Sequence, residues 1–89
     1  MAEGIVTEPA YVGQLSTALQ QRIAGAQVSH ERVRRDRYRF VVVSDRFEDL
    51  GHPERQRMVW DIAEAVLNKS DLLNVAMIIT MAPTEVPAE

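Results

Sequence analysis

The chain contains no cysteine. That excludes disulfides, thiolate metal sites, cysteine-ligated iron–sulfur centres and a cysteine nucleophile. Aromatic residues are scarce, at 6%, with one Trp, two Tyr and two Phe, which leaves little material for a base-stacking platform. Lys69 is the sole lysine; every other basic residue is arginine. No apolar run reaches the ~18 residues of a transmembrane helix. The start, Met1-Ala2-Glu3-Gly4, lacks the basic and apolar regions of a signal peptide, so the expected compartment is the cytoplasm. There is no P-loop, nucleophile elbow or glycine-rich dinucleotide motif. His30 and His52 are the only imidazoles, and the acids near them are too scattered to complete a metal site. These absences predict a protein that is not an enzyme and carries no cofactor.

What remains is ordinary globular material: 89 residues, 46% hydrophobic and 26% charged. Such a length makes one small domain that hides about 60–65% of its unfolded surface. The net charge of -3 conceals a division. Between Arg22 and Arg57, nine arginines face six acids, whereas the remainder sets Lys69 against seven acids. The densest cluster runs from His30 to Arg39 and holds Arg32, Arg34, Arg35, Arg37 and Arg39 against Glu31 and Asp36. Arginine presents a flat, forked donor set suited to phosphate or carboxylate. The cluster is therefore the candidate binding surface, with nucleic acid as the specific expectation. Its bland alternative is a charged strand edge that deters sheet-to-sheet aggregation.

Hydrophobic spacing predicts the elements. Thr7-Glu8-Pro9 reads as a helix start. Val12, Leu15, Leu19 and Ile23 then recur at helical spacing, giving a helix over 8–24 that Gly25 terminates. Tyr38 to Val43 is aromatic and β-branched, a strong strand signal. It forms a hairpin with a weaker strand from about Gln27 to Val33, turning near Arg35-Asp36. Pairing Val33 with Tyr38 places Val33, Tyr38, Phe40 and Val42 on the core face. Val28, His30, Arg32, Arg39, Val41 and Val43 then share the other face. Val28 and Val33 disagree about which face is core, and a bulge would reconcile them. Asp45 to Pro53 reads as a loop. Met58, Val59, Ile62, Ala63 and Val66 form the stripe of a second helix, with Trp60 at its edge. Leu72 to Met81 reads as a strand. The expected domain spans 8–83, between a flexible N-terminus (1–7) and a flexible tail (84–89).

The predicted fold class is α+β, in the order α-β-β-α-β. A strand–helix–strand connection within one sheet leaves its strands parallel, so the sheet is three-stranded and mixed, with both helices on one face. Its other face has no third layer, which is the physical reason to expect a partner, a second copy of the chain included.

Three motifs carry a resemblance. Tyr38-Arg39-Phe40-Val41-Val42-Val43-Ser44-Asp45-Arg46-Phe47 is an aromatic–basic–valine run ending in Ser-Asp-x-Phe. Arg55-Gln56-Arg57-Met58-Val59 opens the second helix, and Thr80-Met81-Ala82-Pro83-Thr84-Glu85 closes the last strand. Together they resemble the BolA family across roughly residues 12–85. The resemblance implies an α-β-β-α-β fold similar to a type II KH domain, with a short extra helical turn. It also implies one of two roles: a DNA-binding, stress-related transcriptional regulator, or a monothiol-glutaredoxin partner sharing a [2Fe–2S] cluster. In the second role the family supplies a histidine from Arg-His-Arg and a cysteine or histidine from the hairpin loop. Here those positions hold Gln56 and the run Arg34-Arg35-Asp36-Arg37; Ile79 stands where some members have a further histidine, and Phe47-Glu48-Asp49 replaces Phe-x-Gly. Glutamine and arginine are not usual ligands for such iron. His30 is the remaining candidate ligand, and it lies farther from the turn than the family position. The expected binding surface is therefore Arg32, Arg34, Arg35, Arg37 and Arg39, with Gln56 and Arg57 adjoining.

Overall fold

A computed structural model describes residues 8–87. The Thr7 cap, the flexible N-terminus over 1–7 and the last two residues of the expected tail lie outside the described residues. The elements are α1 (Ala10–Arg22), β1 (Gln27–Arg34), β2 (Arg37–Val43), a 3-10 turn (Asp45–Phe47), α2 (His52–Val66), α3 (Lys69–Asn74), β3 (Val75–Met81) and a second 3-10 turn (Pro83–Glu85). No described helix is long and apolar enough to cross a membrane.

The three strands lie in the order β1-β2-β3. β1 and β2 are antiparallel, and β2 and β3 are parallel, joined by the α2–α3 crossover. The core is the single layer between sheet and helices. α1 supplies Tyr11, Val12, Leu15, Ala18 and Leu19, and α2 supplies Val59, Ile62 and Ala63. They meet Tyr38, Phe40 and Val42 of β2 and Val75 and Ile78 of β3. From Tyr38 to Val43, β2 alternates buried and half-buried positions, because its even-numbered side chains face the helices. At the end of α1, Gly25 takes a φ of +68°, a left-handed conformation that glycine adopts without steric penalty. The chain can then turn from α1 straight into β1.

β1 departs from the expected register. Arg32, not Val33, pairs with Tyr38, and Val33 is bulged out between Arg32 and Arg34. Val33 is 54% exposed. The one-residue correction moves the side chains from Gln27 to Arg32 to the opposite face, whereas Arg34 keeps the expected pairing with Arg37. Val28, His30 and Arg32 therefore share the helix face with Val42, Phe40 and Tyr38, and Val28 packs against the core. Ser29 and Glu31 take the open face. The bulge relieves the conflict between Val28 and Val33 by dropping Val33 out of the ladder.

The last strand is shorter than its apolar run. Leu72, Leu73 and Asn74 belong to α3, not to β3. Asn68 begins that helix by accepting the Asp71 amide at 2.8 Å, a side-chain cap that satisfies one of the helix's free N–H groups. The expected loop over 45–53 also contains order. Ser44 caps the first 3-10 turn, accepting the Arg46 amide, and Phe47 is completely buried. The expected tail boundary at residue 83 falls inside the second 3-10 turn.

Tyr11 ties three segments together. Its hydroxyl donates to the Asp36 carbonyl in the hairpin turn at 2.5 Å and lies 3.0 Å from the Asn74 carbonyl where α3 meets β3. Burial, with Asp36 and Asp71 adding to it, pushes the phenol up to about 12. The ring packs edge-on to Tyr38, 6.2 Å between centroids. Tyr11→Phe keeps the ring and leaves the Asp36 carbonyl without its donor and the Asn74 carbonyl without its polar neighbour. The expected loss is about 1–2 kcal/mol in urea unfolding. An unchanged midpoint would show that water replaces the hydroxyl at no cost.

Candidate functional site

The arginine cluster occupies the hairpin end of the sheet. Arg34 and Arg37 pair across the two strands next to the turn. Arg35 is in the turn itself, with a φ of +32°. Arg32, Arg34, Arg35 and Arg37 are all exposed, and among the described residues no carboxylate forms an ion pair with any of them. Arg39 differs: its guanidinium is half-exposed and donates to Glu31, its cross-strand partner. The five arginines are also divided by the pleat. Arg39 and Arg37 point to the open face, Arg34 joins them opposite Arg37, and Arg32 lies opposite Tyr38 on the helix side. The cluster is thus a cationic tip with donors on both faces and four unpaired guanidinium groups.

Gln56 and Arg57 are placed elsewhere. Gln56 Nε2 donates to the Ile78 carbonyl of β3 at 2.9 Å, and Gln56 Oε1 accepts from Trp60 Nε1 at 3.2 Å. Both ends of the amide are therefore engaged within the domain. β3 is the edge strand opposite β1, so this relay fastens α2 along the far side of the sheet from the hairpin's outer strand. Capping a β3 carbonyl also blunts that edge against pairing with another chain. Trp60 is partly buried against the core, and Arg57 is exposed on α2.

His30 sits on the helix face, not on the open face with Arg39. Its Nε2 lies 2.8 Å from a Glu8 carboxylate oxygen, and its ring packs 5.7 Å from Tyr38 and 6.1 Å from Phe40. Among the described residues no group of three or more His, Asp or Glu side chains is arranged to hold a metal ion. The positions that the family resemblance assigns to a [2Fe–2S] cluster do not fit one. Gln56 is an amide with both atoms already bonded, and the turn offers only guanidinium groups and Asp36, none of them a thiolate or imidazole.

Sequence reasoning missed the arginine with the most internal partners. Arg55, 9% exposed, donates from Nε to the Leu50 carbonyl at 2.9 Å and from Nη2 to the Phe47 carbonyl at 2.6 Å. It also forms a two-pronged ion pair with Glu85, at 2.7 and 2.9 Å, and lies 5.7 Å from the centre of the Phe47 ring. Planar guanidinium geometry makes such a fork possible. Glu85 in turn accepts the Ala82 amide at 2.9 Å. Arg55 therefore clamps the segment before α2 to the turn after β3. Arg55 and Glu85 each lie inside a family-like motif, but nothing in either motif shows that the two side chains meet.

The open face was only half legible. β3 alternates, so Met77, Ile79 and Met81 turn away from the helices and stand beside Arg39, Val41 and Val43 in register. Met77 is 48% exposed, and Val41, Val43, Ile79 and Met81 are half-buried. The result is an apolar stripe on β2 and β3 that ends at Arg37 and Arg39, with polar Ser29 and Glu31 on β1 beside it.

No known family model and no curated protein matches the sequence. A search of solved structures matches BolA1 from Arabidopsis thaliana with a TM-score of 0.69 at 18% identity, covering 89% of this chain and 99% of that one. At that identity the likeness speaks to architecture. The element order, mixed sheet and one-sided helical layer inferred from the residues are the same arrangement, and the chain has a BolA-like fold.

Proposed function

We propose that the chain is a non-enzymatic binding protein whose arginine hairpin docks on an anionic macromolecule, with nucleic-acid phosphate as the partner. The observation that carries this reading is the set of exposed guanidinium groups at Arg32, Arg34, Arg35 and Arg37 that no acid neutralises among the described residues. A surface that served only to deter aggregation would be satisfied by alternating charges, as Arg39 and Glu31 are. Four forks at the hairpin end, unpaired among the described residues, instead concentrate positive potential in a molecule whose net charge is -3. That focusing steers a polyanion to one end of the domain. Regulation of transcription under stress is the finer role suggested by the BolA resemblance.

Duplex binding by this tip releases counterions. With Arg39 held by Glu31, four contacts give a log–log salt slope of at most about -3.6, at roughly -0.9 per phosphate. Fluorescence anisotropy with a short labelled duplex measures it. Arg34→Ala/Arg35→Ala is expected to weaken binding and reduce the slope by about 1.8. A flat salt response, or an unchanged affinity in the double variant, would sink the reading.

The alternative, a monothiol-glutaredoxin partner in iron–sulfur trafficking, uses the same fold. The bonded amide of Gln56 favours, for that case, a complex without a shared cluster. Mixing the two proteins and recording the visible spectrum separates the cases: a heterodimer lacking cluster bands supports an apo-type contact, and bands would overturn the ligand argument.

A further inference from the structure

The uncovered side of the sheet has a chemistry of its own. Its centre is the stripe of Val41, Val43, Met77, Ile79 and Met81. The segments just beyond its two ends carry opposite charge. At the hairpin end stand Arg34, Arg35 and Arg37 against Asp36, with Arg39 neutralised by Glu31. At the other end, where β2 runs out, Asp45, Arg46, Glu48 and Asp49 are all exposed. Counting the unpaired side chains gives three arginines less one acid, or +2, at the first end, and three acids less one arginine, or -2, at the second. The Arg55–Glu85 pair beyond it is internally compensated.

We propose that this face is closed by a second copy of the chain, stacked face to face with its strands antiparallel to the first. A two-fold axis relating two stacked sheets lies in the plane between them. If it ran along the strands, the two arginine tips would meet and repel. If it ran across the strands, Arg34, Arg35 and Arg37 of each copy would overlie Asp45, Glu48 and Asp49 of its mate, twice by symmetry. The apolar stripes would pack on one another between these charged ends, about 10 Å apart, as sheets do in a sandwich. Charge complementarity therefore selects one of the two symmetric arrangements, and burial of the stripe supplies the attraction.

The face is small. Three strands of about seven residues make a plate roughly 14 Å wide and 23 Å long, below the ~800 Å² per partner of a standard interface even with its ends included. The dimer is therefore concentration-dependent rather than obligate. Self-association and polyanion binding draw on Arg34, Arg35 and Arg37 together, but the inference does not depend on the nucleic-acid reading, because the stripe belongs to the dimer alone.

Sedimentation velocity from low micromolar to near-millimolar concentration tests it. The wild-type chain is expected to pass from monomer to dimer, and Ile79→Asp is expected to remain monomeric over the whole range while retaining its affinity for the labelled duplex. Arg34→Glu/Arg37→Glu makes both ends acidic and Glu48→Lys/Asp49→Lys makes both ends basic. Each variant alone is expected to lose the dimer, and an equimolar mixture is expected to regain it, more weakly at higher salt. A wild-type monomer at every concentration would overturn the proposal. So would a dimer indifferent to Ile79→Asp, or a mixture that stays monomeric while both variants fold. Loss of duplex binding with an intact dimer would instead count only against the nucleic-acid reading.

Discussion

Phe40→Ala is expected to lower the unfolding free energy by about 3–5 kcal/mol, the range for removing a fully buried aromatic ring. Phe40 is completely buried at the middle of the central strand, paired with His30 on one side and Ile78 on the other. Its ring lies 6.5 Å from that of Tyr11, so truncation opens a void where α1 meets the sheet. A domain of this length has only roughly 4–13 kcal/mol to lose, at ~0.05–0.15 kcal/mol per residue. The loss therefore takes at least about a fifth of that stability, and all of it at the lower end of the range. Val41→Ala is the matched control. Val41 is the next residue along β2 and faces the open side, where the expected loss is about 1 kcal/mol when the chain is monomeric. Urea denaturation of both variants at low protein concentration checks the pair. Equal losses would mean that the open face is packed as tightly as the core, and the one-layer description would fail.

That contrast between neighbouring residues also marks what the sequence could reveal. β2 is legible because its two faces differ: Tyr38, Phe40 and Val42 are buried, and the residues between them are not. α2 is legible for the same reason, since Val59, Ile62 and Ala63 recur at the helical period and are buried. β1 lacks such a contrast. Seven of its eight residues are exposed, and only Val28 is partly covered. Nothing in a strand polar on both sides fixes the register; the conflict between Val28 and Val33 signals a bulge, and only the tertiary pairing puts it at Val33. The error at α3 had another origin. An apolar run of Leu72 to Met81 carries no period that tells a short helix from a strand, but Asn68 offered a cap three residues before Asp71. Reading that asparagine as a helix start divides the run correctly.

The site divides along the same line. Exposed charge in a turn is legible from composition, and the arginine tip is where the cluster predicts it. A side chain's bonding to backbone is not legible, because carbonyl positions depend on the fold. Gln56 and Arg55 both bond carbonyls distant in sequence or across a turn, and neither role follows from residue type. Arginine is therefore used here in two opposite ways. In the hairpin it is left exposed and unpaired, and at Arg55 it is covered and supplied with carbonyl and carboxylate acceptors.

The Arg55 clamp gives the second large effect and sets a pH dependence. The two-pronged bond from Arg55, reinforced by the Ala82 amide, pulls Glu85 from 4.5 down to about 2. In the unfolded chain Glu85 regains its ordinary affinity for protons. The folded state therefore binds that proton more weakly, and the clamp contributes its full stabilisation above pH 4.5. The contribution is lost progressively as pH falls from 4.5 through about 2, where the folded carboxylate takes up its proton. Thermal unfolding of the wild-type chain should accordingly steepen its decline across that window. Glu85→Gln should melt lower at neutral pH and decline less steeply in acid, so that the two curves converge near pH 2. Arg55→Met should melt lower still at neutral pH, because the Phe47 and Leu50 carbonyls lose their donors as well. In that variant, amide exchange should quicken in the segment from Phe47 to Leu50 and around Glu85, while the amides of β2 remain protected. Parallel acid declines in the wild type and Glu85→Gln would show that the carboxylate's bonds to Arg55 and Ala82 do not stabilise the fold. Unaltered exchange at Phe47 to Leu50 in Arg55→Met would show that Phe47, buried on its own account, holds that segment without the clamp.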